Sequence, residues 1–264
     1  MKKENHNLND PANWKYISPD SPGFHTVISP ENSPCKITWI FRLNMIKNSV
    51  YHLRHEKLEL SGAVIAGNLE LSFEGATEKL QKNDSFFLPA QKTVDIKALD
   101  NLSIFFGGGP CEGIGNFFVR RMNLDRPKDD IHQIHGKPPY QRTVFMAVNQ
   151  EIPASRLITG FTWGEEGKWT SWPPHQHSKH LEEVYCYFDI PKPKFALHIS
   201  SKKEGVVQAV HPVSSGDCVV IPEGYHPTVG IPGVKSCYFW VMVAHNQQSR
   251  SYDLAVNDPN FDTE

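Results

Sequence analysis

The sequence predicts an all-β protein, and three observations carry that expectation. Short apolar or alternating runs recur between Gly, Pro and Asn residues, the spacing of a sandwich or barrel. Amphipathic helical patterns are scarce. The two halves of the chain also resemble one another. Asn83-Asp84-Ser85-Phe86-Phe87-Leu88-Pro89 lines up with Gly216-Asp217-Cys218-Val219-Val220-Ile221-Pro222, in each case a turn, an Asp, four strand residues and a Pro. A further apolar run follows each copy, at 102–106 and at 237–243, which reads as a duplicated β-unit.

In chain order, 50–53 is a short, mostly apolar run, 69–73 alternates apolar with polar residues, as half-buried strands do, and 63–65 is a continuous apolar run. The run 85–88 stops at Pro89, and 103–106 stops at three consecutive glycines. In the second half, 157–163, 183–188, 195–199, 218–221 and 236–243 are rich in β-branched and aromatic residues and bounded by turn formers. Between the halves, 125–142 is polar and carries Arg126-Pro127, Gly136 and Pro138-Pro139, the composition of a linker. The expected organisation is an N-terminal arm at 1–29, a first unit at 30–124, the linker at 125–142 and a second unit at 143–264.

With 27 basic and 29 acidic residues among 264, the net charge is −2, which speaks against a nucleic-acid or anionic-membrane partner. Fifteen Phe, 8 Tyr and 6 Trp are enough for large cores and exclude disorder. The first residues lack an apolar signal region and no run of about 18 apolar residues occurs, so a soluble, cytoplasmic protein is expected. Cys35, Cys111, Cys186, Cys218 and Cys237 are scattered and odd in number, which fits reduced, buried thiols.

Histidine is the unusual count, at 13. On an extended chain residues i and i+2 share a face, so His175 and His177 set two imidazoles one pleat repeat apart. A carboxylate five or six residues on, Glu182 or Glu183, can enter from the next strand. His226 follows Gly224, which permits a tight turn, and could close the set. Three His and one carboxylate suit a divalent Zn, Mn, Fe or Ni ion.

These residues carry a family resemblance as well. The H-x-H, the downstream Glu and G-D-x4-P-x-G-x-H resemble the two motifs of the cupin superfamily of small antiparallel β-barrels. More narrowly, K-W-T-S-W-P-P-H-Q-H at 168–177, L-E-E-V-Y at 181–185, G-D-C-V-V-I-P-E-G-Y-H-P at 216–227 and P-G-V-K-S-C-Y-F-W-V-M at 232–242 resemble the 5-deoxyglucuronate isomerase family of myo-inositol catabolism. Its sister family is 4-deoxy-L-threo-5-hexosulose-uronate ketol-isomerase. The resemblance is specific over 142–261 and weaker over 30–106.

The resemblance implies two cupin-type β-barrels in one chain, a bicupin, with the metal in the second. Position 93, four residues past Pro89 as His226 is four past Pro222, is Thr, so the first barrel is expected to have lost its ligands. Carried over, the ligands are His175, His177, Glu183 and His226. General cupin spacing points to Glu182, whereas the sister family's E-V-Y-x-Y-F aligns with Glu183, and Glu183 shares parity with Tyr185 and Tyr187. Zn²⁺ or Mn²⁺ is placed ahead of Fe²⁺ and Ni²⁺.

The implied activity is the isomerisation of 5-deoxy-D-glucuronate to 5-dehydro-2-deoxy-D-gluconate by a homo-oligomer acting on a small sugar acid. Substrate contacts are expected from Arg250, Tyr225 and Tyr185. Glu223, His180, Glu182, Tyr185 and Tyr225 are near enough in sequence to relay a proton, and none is singled out. The family's G-F-x-x-Q-R-V-Y strand is here Lys194–Ser200, without the Gln-Arg pair, so Arg250, Arg142 or His198 must hold the carboxylate or the substrate differs. Two other readings keep the fold: an iron-dependent cupin dioxygenase and a non-catalytic sugar-binding cupin.

Overall fold

A computed structural model describes residues 7–261; the outer ends of the expected arm and second unit, 1–6 and 262–264, lie outside them. The chain is all-β, its only helical elements among the described residues being three single 3₁₀ turns at Pro11–Asn13, Gln247–Ser249 and Pro259–Phe261. Each run expected from the sequence falls on a strand, with Phe188 and Phe195 just beyond a strand end.

The same strand order appears twice. In the first half, a six-stranded sheet runs Phe118–Arg120, Ser85–Leu88, Leu58–Ala66, Leu102–Pro110, Trp39–Met45, Gly23–Ile28. In the second half, Asp217–Ile221, Leu181–Tyr187, Lys235–Ala244, Leu157–Glu166 and Arg142–Val148 follow the same order. Two additions extend that second sheet. Lys15–Ile17, from the expected arm, pairs with Asp217–Ile221, and His132–His135, from the expected linker, pairs with Arg142–Val148. Each half also has a four-stranded sheet: Val50–Arg54, Thr93–Ala98, Leu69–Phe73, Ala76–Leu80 in the first, and Trp169–Thr170, Thr228–Gly230, Ala196–Ser200, Ala209–Val213 in the second.

Side-chain parity explains the layering. Thr93–Ala98 alternates exposed and buried residues, so it covers a core on one face only. Leu58–Ala66 and Leu102–Pro110 are buried on both faces. Ile104 and Phe106 join the first-half core of Leu60, Leu71, Phe86 and Ile96, whereas Phe105, between them, packs into the core continuous with the second half. The two large sheets therefore meet back to back, and glycine permits their close approach. A Cβ on Gly107 would lie 2.5 Å from Val241 Cγ1, and one on Gly109 would lie 2.9 Å from Val243 Cγ1. Where Glu183 pairs with Ile221 in the second half, Leu60 pairs with Leu88 in the first. Leu60 is buried in an apolar core and Thr93 is exposed, so this part of the first half is filled with hydrocarbon rather than ligands.

Candidate functional site

His177 ends a short extended segment and opens a turn in which its carbonyl accepts from the amides of His180 and Leu181 at 2.8 and 3.0 Å. The chain then enters Leu181–Tyr187, which delivers Glu183 to the same place. His226 comes from the loop after Pro222. Gly224 in that loop has φ +87°, and a Cβ there would stand 2.0 Å from Ser201 O, so the turn requires glycine. The Gly224 amide donates to Ser178 Oγ at 2.8 Å, which ties the two histidine-bearing loops together. His175 pairs with Asn257 of the C-terminal strand Val256–Asn257, and the Asp258 amide donates to Pro174 O at 2.8 Å.

His177, Glu183 and His226 are buried, and their ligand atoms all lie within 4.8 Å of one another. Glu183 Oε2 is 2.8 Å from His177 Nε2 and 3.2 Å from His226 Nε2. The His175 ring centroid is 4.7 Å from that of His226. His175 Nδ1 lies 3.0 Å from Pro173 O, His226 Nδ1 lies 3.1 Å from Gly224 O, and His177 Nδ1 lies more loosely, 3.5 Å, from Leu181 O. A carbonyl only accepts, so these contacts keep the ring proton on Nδ1 and leave the Nε2 lone pair free. His226 Nε2 is buried and has no hydrogen-bond partner among the described residues. Nitrogen lone pairs thus converge on a carboxylate oxygen, and the arrangement calls for positive charge at their focus.

The electrostatics agree. Burial pushes the Glu183 carboxyl up, but the His177 and His226 rings beside it outweigh burial and lower it to about 2. Burial, reinforced by the His226 charge, lowers His175 to about 3, which keeps that ring neutral. Both are the protonation states that a metal ligand needs.

The cluster lies at a cavity of about 170 Å³, a size for a small metabolite rather than a polymer. His135, Arg142, Ser171, Trp172, Tyr185, Tyr238, Trp240 and Tyr252 contribute to its wall. The Tyr185 ring stacks on Tyr238 at 4.1 Å and meets His226 edge-on at 5.6 Å, and its hydroxyl donates to Ser171 Oγ at 3.1 Å.

Comparison with known proteins adds a name to this geometry. The family model described as the KduI/IolB family matches residues 16–262. The chain belongs to this family. A curated relative, the 5-deoxy-glucuronate isomerase of Geobacillus thermodenitrificans, is 27% identical over 198 residues, which cover 72% of this chain and 67% of that protein. The chain is thus an enzyme of an isomerase family. Its fold is similar to that of an IolB-like protein from Salmonella typhimurium LT2, with a TM-score of 0.82 at 20% identity over 95% of this chain and 98% of that one. Weaker likenesses reach Bacillus subtilis oxalate decarboxylase, described with Mn(II) centres (TM-score 0.60, 12% identity, 93% and 79% covered). They also reach a cupin barrel-domain protein of Leptotrichia buccalis (TM-score 0.51, 12% identity, 84% and 88% covered), which gives the fold its cupin character.

Within this KduI/IolB chain the expected residues sort cleanly. His175, His177, Glu183 and Tyr185 line one cavity, with His226 against them. Glu182 points to the opposite face, where its carboxylate accepts from the Lys36 and Ile37 amides and Thr38 Oγ1 at 2.7, 3.1 and 2.8 Å. The two neighbouring glutamates thus lie on opposite faces of the strand, as their parity requires. Two expected substrate contacts are elsewhere. Arg250 is buried, with Nε, Nη1 and Nη2 donating to the carbonyls of Leu157, Gln150 and Asn149, so its guanidinium is consumed by backbone. Tyr225 lines a neighbouring apolar cleft and its hydroxyl donates to Glu204. His198 is buried behind the site, with Nδ1 2.7 Å from Tyr187 OH. Glu223 pairs with Lys202 at 2.7 Å, outside the cavity. Of the five groups near enough in sequence to relay a proton, Tyr185 alone is in the cavity wall.

Sequence reasoning gave no role to His135, Tyr252, Trp240 or Tyr238. The first stands in a segment whose Pro and Gly content reads as a linker, and no spacing relates the others to the histidine motif.

Proposed function

We propose that this KduI/IolB protein is a metal-dependent aldose–ketose isomerase acting on a deoxy uronate, 5-deoxy-D-glucuronate, to give 5-dehydro-2-deoxy-D-gluconate. The observation that carries the reading is the convergence of His177, Glu183 and His226, with His175 beside them, on a small cavity in a chain whose relatives are named 5-deoxy-glucuronate isomerase. His175, His177, Glu183 and His226 would hold the ion, and the Mn(II) centres of a cupin-like neighbour favour Mn²⁺ beside Zn²⁺. Once bound, a divalent ion supplies Lewis acidity to the substrate carbonyl and its neighbouring hydroxyl.

The conversion moves a proton from C2 to C1 and another from the C2 hydroxyl to the C1 oxygen, with no net change of oxidation state. The side chains must therefore hold the C1–C2 end still and exchange protons with its oxygens. Tyr185 suits the second task. Burial, with Glu183 and Tyr238 nearby, pushes its hydroxyl well above the usual tyrosine range, so it stays protonated; with its hydrogen directed to Ser171 Oγ, its oxygen is left to accept from a substrate hydroxyl. Ser171 and the stacked Tyr238 fix its direction. Trp172, Trp240 and Tyr252 narrow the cavity around the reacting carbons and limit water.

In the same reading each half, a large sheet facing a four-stranded sheet, is one cupin-type barrel, of which the second carries the metal. A cytoplasmic homo-oligomer belongs to it as well. The test is NMR observation of 5-deoxy-D-glucuronate incubated with metal-loaded protein. Appearance of the ketose supports the proposal, and its absence at full metal occupancy overturns it.

A further inference from the structure

A uronate carries its carboxylate at the end of the chain opposite the reacting carbons, and this protein, with a net charge of −2, offers no general positive field to hold it. A local cation is required. Three residues stand as candidates in place of the family's missing Gln-Arg pair, and geometry removes two. Arg250 spends all three guanidinium nitrogens on backbone carbonyls. His198 is fully buried against Tyr187 and lies outside the cavity wall.

Arg142 remains, and its surroundings are those of a binding residue. It begins the strand Arg142–Val148 and lines the same cavity as His177 and Glu183. It is half-buried and makes no ion pair among the described residues. Among the described residues its guanidinium makes one hydrogen bond, Nη1 donating to Trp172 O at 3.1 Å. That leaves most of its five N–H donors free, in a fork that matches a carboxylate. Trp172 lies three residues before His175, so the contact ties the cation to the segment that carries the first metal-site histidine. Across the strand pair stands His135, also in the cavity wall. Burial and the Arg142 charge both lower its tendency to protonate, so Arg142 supplies the fixed positive charge on this wall.

We propose that Arg142 is the carboxylate-binding residue of this enzyme and sets its preference for sugar acids over neutral sugars. The inference rests on the isomerase reading for the identity of the substrate, but its test does not need turnover. Calorimetric binding of D-gluconate and of sorbitol, a six-carbon acid and its neutral counterpart, is measured on metal-loaded wild-type protein, R142Q and R142K. The wild type should bind the acid at least tenfold more tightly than the polyol. R142Q should reduce that ratio to within about twofold with metal content unchanged, and R142K should fall between, because an ammonium keeps the charge and loses the fork. Should R142Q fail to fold, the R142K ratio decides. An undiminished acid preference in the folded variants, or no preference in the wild type, overturns the assignment. Acid preference that depends on Arg142 without isomerisation of 5-deoxy-D-glucuronate would sink the proposed reaction and leave the anion site standing. Isomerisation with an unchanged ratio in R142Q would do the reverse.

Discussion

Glu59 and Glu182 reach across the junction of the two halves in opposite directions. Glu59 accepts from the amides of Ser155, Arg156 and Leu157 at 2.7, 2.7 and 2.8 Å, and Glu182 accepts from Lys36, Ile37 and Thr38. They hold corresponding places, since Leu60 and Glu183, the next residues, pair with Leu88 and Ile221 of the repeated motif. A duplicated carboxylate thus clamps each half to the backbone of the other. At the following position the halves diverge, Leu60 filling a core and Glu183 entering the histidine cluster.

This pairing separates two neighbouring glutamates by experiment. E182A strands two amides and a hydroxyl at the junction and should cost about 2–4 kcal/mol of stability while the folded protein keeps its metal. E183Q should lose metal severalfold. Urea unfolding with elemental analysis reads both, and an E182A protein that stays stable but arrives without metal would reverse the roles.

His177 provides the second prediction. Its side chain is buried beside Glu183, but the surrounding core is apolar and does not depend on an ion. H177A should therefore fold, bind severalfold less metal and lose isomerase activity. Because an ion that binds the folded state alone raises the melting temperature, wild-type protein should melt higher with metal than after chelation, and H177A should show little difference. A fully metallated, fully active H177A would refute the ligand assignment.

How much of this was legible in the sequence follows from what each feature depends on. Strands such as Leu69–Phe73 announce themselves because alternation and burial are the same fact seen along one chain. The residues of the His177–Glu183–His226 cluster are legible because few residue types donate to metals, and H-x-H keeps its parity wherever the strand goes. Arg250 shows the limit. A lone arginine in a loop looks alike whether it faces a ligand or is buried on three carbonyls, and only the path of 149–157 decides. His135 and Tyr252 were illegible for a related reason. A cavity wall assembled from a proline-rich connection and the last turns of the chain has no common period to read.

Acid should destabilise the metal-free protein in a defined window. Burial holds His198 well below its usual range, and His175 falls to about 3. In the unfolded chain both take up a proton near pH 6.5, so the folded state binds fewer protons below that value. Their contribution is complete above about pH 6.5 and declines as the pH falls towards the folded values, each group adding a slope of about 1.4 kcal/mol per pH unit. Glu183, lowered to about 2, adds its own loss only below its ordinary carboxyl range near 4.5. Denaturant unfolding of H198N should therefore show a shallower decline than wild type between pH 6.5 and 4.5, and identical slopes would mean that His198 titrates normally in the fold.

Arg250 and Arg142 make opposite predictions from the same residue type. The Arg250 fork joins the Leu157 carbonyl to those of Asn149 and Gln150, and so fixes the loop that leads from Arg142–Val148 into Leu157–Glu166. R250M leaves three carbonyls, two of them buried, without their donor and should lower stability by about 3 kcal/mol, with R250K recovering little because a single ammonium cannot span the three acceptors. The folded fraction of either variant should bind D-gluconate as wild type does, since Arg250 does not face the cavity. A stable R250M protein with a tenfold loss of gluconate affinity would put the carboxylate at Arg250 and remove it from Arg142.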